Sequence, residues 1–202
     1  ILSYSEIIHN KKIYKKLKIW YDFFINFRKG EETIELLEKG IYYSELTNGA
    51  FDISIAPLSE LWDFKNNPGK VPSANDIRDA LSHVSYENII IEGNKVTLLD
   101  SDMAIDLGGI AKGYMADQLK DYLLSEGVES ALIDLGGNIL AVGSKPDNSN
   151  YTIGIKKPFE DDEMISTESI NDISVVTSGC YERYFKISDT LYHHILDTKT
   201  GY

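Results

Sequence analysis

Cys180 is the only cysteine in a chain of 202 residues. That scarcity excludes an intramolecular disulfide and any thiolate-based metal site. It fits either the cytosol or a surface compartment that does without disulfides. Basic residues are also in short supply: 20 Lys and Arg stand against 32 Asp and Glu, for a net charge of -12. Long-range electrostatics therefore oppose nucleic acid and anionic membranes as partners. No apolar run reaches the ~20 residues that a transmembrane helix needs. There is no internal repeat and no low-complexity tract. With 43% hydrophobic residues, the length supports one sizeable core rather than two independent domains.

One stretch runs against the acidic balance: KKIYKKLK at residues 11–18. It is either an anionic-surface contact or a solvated helix face that turns Ile13, Leu17 and Trp20 inward, and the second reading is favoured. No signal peptide is visible. The chain opens on Ile1 and closes on the turn-like TKTGY, so both ends read as cut.

What is present is a mixture of helical and strand patterns. Residues 31–46 space Ile34, Leu37, Ile41 and Leu46 as the inward face of a helix, with acidic residues in its first turn. Asn48-Gly49 breaks it. PLSELWDF is apolar but short, and Ser73 with Asp76 forms a capping-box pattern before a helix in ANDIRDALSHV. ENIIIEG and KVTLLD, joined at Gly93-Asn94, predict a β-hairpin. From Ile110, the spacing of Met115, Leu119, Tyr122 and Leu123 predicts a helix that stops at Gly127. SALIDLG, NILAVG, YTIGIK, ISVVTS, ERYFKI and LYHHIL then predict strands. Helices and strands do not alternate regularly, so the expected class is α+β.

The stretch AIDLGGIAKGYMADQL, residues 104–119, carries the first chemical signal. Gly108, Gly109 and Gly113 surround Lys112 between a strand and a helix N-terminus. Free backbone N–H groups and the helix dipole favour an anion there. The order of residues is neither that of a P-loop nor G-x-G-x-x-G. Asp106 is either an acceptor for a ligand or an N-cap. A second pair, Gly136-Gly137 in DLGGN, either brings backbone close to a ligand or is an ordinary strand-end turn. In TSGCYERYF, Tyr181, Tyr184 and Phe185 either stack on a flat ring or belong to the core, with core favoured. His193 and His194 are adjacent in a strand pattern, so they face opposite sides and only one can serve a given site as general base. Asp197 with Thr200 and Gly201 reads as a turn whose carboxylate accepts backbone N–H bonds.

Taken in order, NGAFDISIAPLSELWDF, IDLGGIAKGYMADQL, GVESALIDLGGNILAVGSKPD, VVTSGCYERYF and YHHILDTKTGY resemble the ApbE-type flavin transferases. The resemblance covers residues 31–202, leaving 1–30 as a divergent N-terminal segment that reads as helical. It implies an α+β domain with a mixed or antiparallel sheet and flanking helices. It also implies a Mg²⁺-dependent FAD:protein FMN transferase, which cuts FAD at its diphosphate, releases AMP and attaches FMN to a Ser or Thr of an acceptor protein. Family acceptors are subunits of membrane redox complexes, and the family generally works outside the cytoplasm.

Position by position, the resemblance implies FAD contacts at Ala50, Phe51, Asp52, Asp106, Lys112, Thr177, Ser178, Gly179 and Leu196. It implies a Mg²⁺ ligand in the Gly109 carbonyl and a catalytic base in His194. The family's remaining Mg²⁺ ligands, an Asp and a Thr, are expected beyond Tyr202, so Asp197 and Thr200 are not assigned to that role. DTKTG carries Thr198 where the family usually has proline. Two alternatives accompany this reading: an FAD pyrophosphatase yielding FMN and AMP, or a truncated, non-catalytic FAD-binding domain.

Overall fold

The computed structural model describes residues 30–66, 69–160 and 163–202. The lysine-rich stretch and the expected N-terminal helix lie outside the described residues. The first helix, α1 (Gly30–Leu46), places Glu31 and Glu32 in its first turn, against the positive end of the helix dipole. It buries Leu36, Leu37, Gly40 and Ser44. Glycine at position 40 lets the helix lie directly on Ile53, because a Cβ there would come within 2.8 Å of the Ile53 side chain. Leu46, expected to turn inward, is instead 61% exposed. Ser44 takes the last buried place: its hydroxyl donates to the Gly40 carbonyl at 2.8 Å and accepts the Ile53 N–H at 3.3 Å.

PLSELWDF forms a short helix, α2 (Ala56–Trp62), with Pro57 in its first turn and a left-handed Asp63 ending it. In α3 (Ala74–Ser82) the expected cap is present, the Ser73 hydroxyl accepting the Asp76 N–H at 3.2 Å. A 3₁₀ turn at Tyr86–Asn88 leads into the hairpin of β1 (Ile89–Glu92) and β2 (Lys95–Leu98). The helix α4 (Ala111–Ser125) follows, with Gly127 in a left-handed conformation just beyond its end.

The later strands are β3 (Ala131–Asp134), β4 (Asn138–Val142), β5 (Tyr151–Lys156), β6 (Met164–Ile170), β7 (Ser174–Val176), β8 (Tyr184–Ile187) and β9 (Thr190–His193). They separate into small antiparallel sheets: β3-β4-β7, β5-β6 and β8-β9, besides β1-β2. Among the described residues the isolated parallel bridge joins Ile55 to Ala104. The class is α+β, as the sequence predicts.

The strand β4 is central because both its faces are covered. Leu140 and Val142 pack with Ala116 of α4 and Ile133 of β3, while Ala141 packs with Ile153 and Ile170 of β5 and β6. That explains why NILAVG is almost continuously apolar rather than alternating. A third cluster joins Leu37, Ile53, Ile89 and Met103, and a fourth gathers Leu58, Trp62, Ile77, Ala80 and Phe185. No described helix is long and apolar enough to cross a membrane.

The end of α3 is tied to the segment after β2 by an ion pair, with His83 Nδ1 2.7 Å from Asp100 Oδ2. This contact raises the His83 pKa and lowers that of Asp100. The histidine's contribution to stability is present below its unfolded pKa, near ~6.5, and is lost as pH rises through its higher folded value. The aspartate's is present above its unfolded pKa, near ~3.9, and is lost as pH falls through its lower folded value. The pair therefore helps most between those limits. In thermal unfolding across pH 3–9, the Tm difference between the unsubstituted chain and His83→Gln is expected to peak near pH 5 and to shrink on either side. A difference that is flat with pH would refute the assignment.

Candidate functional site

Two tetrapeptides of identical sequence, Asp106-Leu107-Gly108-Gly109 and Asp134-Leu135-Gly136-Gly137, build the centre of the site. Each begins with the same local bond: Asp106 Oδ1 accepts the Gly108 N–H at 2.7 Å, and Asp134 Oδ1 accepts the Gly136 N–H at 2.9 Å. They then diverge. The first continues into α4, whose N-cap is Ile110, so Asp106 is not the cap. The second turns back into β4, with Gly136 at φ +69° and Gly137 at φ +81°, a conformation that favours glycine.

Lys112, on the first turn of α4, donates from Nζ to the Gly136 carbonyl at 2.8 Å and so ties the two glycine loops together. Thr177 closes the other side, its N–H donating to the Gly137 carbonyl at 2.9 Å. Asp106, Lys112, Gly136, Thr177 and Ser178 are all exposed, so the joined loops face solvent. Gly179 sits against the Tyr181 ring, where a Cβ would come within 2.7 Å of it.

The GAFD turn meets the first loop directly. The Phe51 ring lies against Gly109, close enough that a Cβ there would sit 2.7 Å from it. The Thr47 hydroxyl accepts the Phe51 N–H at 3.1 Å, and the Ala50 N–H donates to the Thr47 carbonyl at 3.2 Å. Asp52 points inward: it is buried and accepts from the Ser54 N–H, the Ser54 hydroxyl and the Tyr86 N–H. Its carboxylate fixes the turn. On the far side of the same turn, the Thr198 hydroxyl donates to the Gly49 carbonyl at 2.5 Å. The five sequence motifs thus form one continuous series of contacts, from DTKTG through GAFD and the two glycine loops to Thr177.

In the DTKTG turn, Asp197 Oδ1 accepts N–H bonds from Lys199 at 2.7 Å and Thr200 at 2.9 Å. These two bonds hold its carboxyl below the usual range. His194 follows β9, and its backbone N–H donates to the Arg183 carbonyl at 3.1 Å. Its Nδ1 lies 3.3 Å from the same carbonyl oxygen. With a proton on Nδ1 for that bond, Nε2 carries the free lone pair. His193 faces the other way, onto a cleft of about 300 Å³ lined by Trp62, Phe64, Tyr192, Leu196 and Tyr202. Leu196 therefore packs with the aromatic cluster. Of the three aromatics in ERYF and its flank, Phe185 is core, while Tyr184 is 41% exposed and meets Phe159 edge-on.

Among the described residues, no group of three or more carboxylate, histidine or cysteine ligands gathers at the glycine loops. Beside Gly109 the described residues offer its carbonyl and the Asp106 carboxylate, one oxygen of which is already bound to Gly108. Mg²⁺ takes six oxygens in a near-octahedral shell. These residues alone do not complete such a site. Among the described residues, His83, Asp100 and Asp102 do form a potential ligand group, with ligand atoms within 4.8 Å of one another. His83 and Asp102 also line an acidic cleft of about 780 Å³ with Glu60, Asp76 and Asp79, which shares no lining residue with the glycine loops.

The sequence reading did not anticipate three contributors: the Gly136 carbonyl as the partner of Lys112, the Thr198 hydroxyl on Gly49, and the buried Asn138 that opens β4. The repeated DLGG is the signal that links the first and third.

Comparison with known proteins shows what the chain is similar to. The ApbE family model matches residues 24–202. An FAD:protein FMN transferase of Klebsiella pneumoniae is 44% identical over 162 residues, which is 79% of this chain and 49% of that protein. One from Treponema pallidum is 33% identical over 183 residues, 83% of this chain and 51% of that protein. Among solved structures, the ApbE protein of Thermotoga maritima superposes with a TM-score of 0.78 at 39% identity, covering 85% of this chain and 57% of that one. The flavin transferase ApbE of Vibrio cholerae gives 0.72 at 32% identity, covering 84% and 55%. The chain spans about half the length of the curated relatives it matches.

Proposed function

The chain belongs to the ApbE family, and from that premise we propose that it acts as an FAD:protein FMN transferase. The observation that carries the proposal is the continuity of the site: five separated motifs meet in one series of contacts around two solvent-facing glycine loops. The FAD diphosphate is assigned to the N-terminal end of α4. Free backbone N–H groups and the helix dipole favour negative charge there, and Lys112 adds a full positive charge. Ala50, Phe51, Thr177, Ser178 and Gly179 are assigned to the rest of the FAD, whereas Leu196, the further contact implied by the resemblance, packs with the aromatic cluster. Asp52 contributes by holding the GAFD turn.

In the proposed reaction, a Ser or Thr hydroxyl of an acceptor protein attacks the phosphorus of the FMN half. The new P–O bond forms as the bond to the AMP phosphate breaks, and AMP leaves on the opposite side. His194 Nε2 takes the hydroxyl proton, its ring held in that tautomer by the Arg183 carbonyl. Lys112 opposes the charge that develops on the phosphoryl oxygens. The Gly109 carbonyl would be one ligand of Mg²⁺, which would supply charge neutralisation at the diphosphate. No step is derived through it, because the described residues do not complete its shell. The acceptor is proposed to be a subunit of a membrane redox complex, presented outside the cytoplasm.

Mass spectrometry tests the proposal: the chain is incubated with FAD, Mg²⁺ and a peptide carrying a Ser or Thr acceptor flanked by small residues. A peptide heavier by one FMN, with AMP released in equal amount, is the expected result. AMP and free FMN with an unmodified peptide would replace transfer by pyrophosphatase activity. Bound but intact FAD would leave a flavin-holding domain.

A further inference from the structure

Four polar or charged side chains are buried among the described residues: Ser44, Asp52, Ser54 and Asn138. Three are fully accounted for. Ser44 bonds to Gly40 and Ile53, and Asp52 and Ser54 bond to each other, with Asp52 also taking the Tyr86 N–H. Asn138 is 5% exposed, and its Oδ1 finds no donor. Asn138 shares this with Glu32 Oε2 and His193 Nδ1, but it is the one of the three that belongs to a glycine loop, directly after Gly137, and an unpaired buried carboxamide oxygen there calls for a functional explanation.

The position of Asn138 supplies one. It is the residue that follows the second DLGG, directly after Gly137, whose carbonyl holds Thr177. Its amide nitrogen lies 3.6 Å from where a Cβ on Gly113 would stand, so the carboxamide packs against the first turn of α4. The corresponding place after the first DLGG is Ile110, an apolar residue. An apolar residue at 138 would leave nothing unpaired, so the polar group is not required by the packing of β4.

We propose that Asn138 is a ligand-binding residue of this site, its carboxamide oxygen reserved for an O–H donor that arrives with the diphosphate ligand. The donor is a hydroxyl of the ligand itself. The inference rests on the flavin reading above and adds to it a residue held unsatisfied until the ligand is bound.

Two measurements on Asn138→Ala test it: thermal unfolding without ligand, and FAD affinity from flavin fluorescence with and without Mg²⁺. The expected result is a ligand-free Tm no lower than that of the unsubstituted chain, together with an FAD Kd raised about ten-fold or more. Weakening to the same extent in both buffers is the expected mark of an FAD hydroxyl as the donor, and weakening only with Mg²⁺ overturns the inference. A Kd within about two-fold of the unsubstituted chain overturns the inference. So does a Tm lowered by several degrees, the mark of a structural side chain or a structural water. Asn138→Ser carries the same test if the alanine variant does not fold. Absence of FAD binding by the unsubstituted chain overturns the flavin reading and this inference with it.

Discussion

Replacing His194 with asparagine is expected to lower the rate of FMN transfer by about 10²–10⁴-fold, the range for loss of a general base, while FAD affinity changes little. Asparagine places an N–H donor where Nδ1 stands, so the bond to the Arg183 carbonyl is preserved. It has nothing in the place of Nε2, the atom left free to take the acceptor's proton. The substitution thus separates positioning from proton transfer. Single-turnover measurement of AMP release and of FMN-labelled peptide, alongside FAD binding by fluorescence, reads both quantities. A rate within ten-fold of the unsubstituted protein would remove His194 from the chemistry. A parallel loss of FAD affinity would make it a binding residue instead.

The second large effect concerns Trp62. It is 1% exposed and packs on Phe64, Tyr192, Tyr202 and Phe185, with ring centroids 5.3, 5.6, 5.8 and 6.4 Å away. Its indole N–H donates to the Gly201 carbonyl at 2.8 Å, a buried bond that anchors the end of the DTKTG turn to α2. Trp62→Ala removes the ring, opens a cavity and strips a buried carbonyl of its donor. Urea unfolding should show a loss of about 3–5 kcal/mol. Trp62→Phe keeps most of the packing and loses the bond, so it should cost less, about 1–3 kcal/mol. If both variants lose the same amount, the hydrogen bond rather than the ring cluster holds this corner. If neither loses more than about 1 kcal/mol, the cluster is not a cooperative part of the core.

The two predictions meet at one place in the chain. Trp62 holds Gly201, Asp197 fixes the turn before it, and Thr198 passes the constraint to Gly49 and the GAFD turn. His194 stands only three residues before Asp197. Destabilising the aromatic cluster should therefore loosen the histidine as well as the fold, and the transfer rate of Trp62→Phe is a sensitive report of that coupling.

Much of the fold was legible because its signals are local. A helix over 31–46, the Ser73 cap, the turn at Gly93-Asn94 and the stop at Gly127 each rest on a few neighbouring residues with strong conformational preferences. The strand β6 was not legible. MISTESI has no apolar alternation, six of its seven residues are exposed, and it is a strand because β5 offers it an unpaired edge. Leu46 was misplaced for a related reason. Helical spacing puts it on the inward face, but the Ser44 hydroxyl closes the buried end of α1 and leaves Leu46 outside.

The sequence by itself determined the α+β class and the two glycine loops, because these depend on residue type and short-range order, while the candidate site residues were implied by a family resemblance. Only the tertiary structure decided what the groups do for one another. The same tetrapeptide, Asp-Leu-Gly-Gly, enters a helix at 106–109 and a left-handed turn at 134–137. Its local Asp-to-glycine bond is common to both settings, so the choice falls to long-range partners: Phe51 against Gly109, Lys112 on Gly136, and Thr177 on Gly137. Those contacts span many residues of chain and leave no local pattern. They are also what joins the two glycine pairs into one solvent-facing surface, the place proposed for the diphosphate.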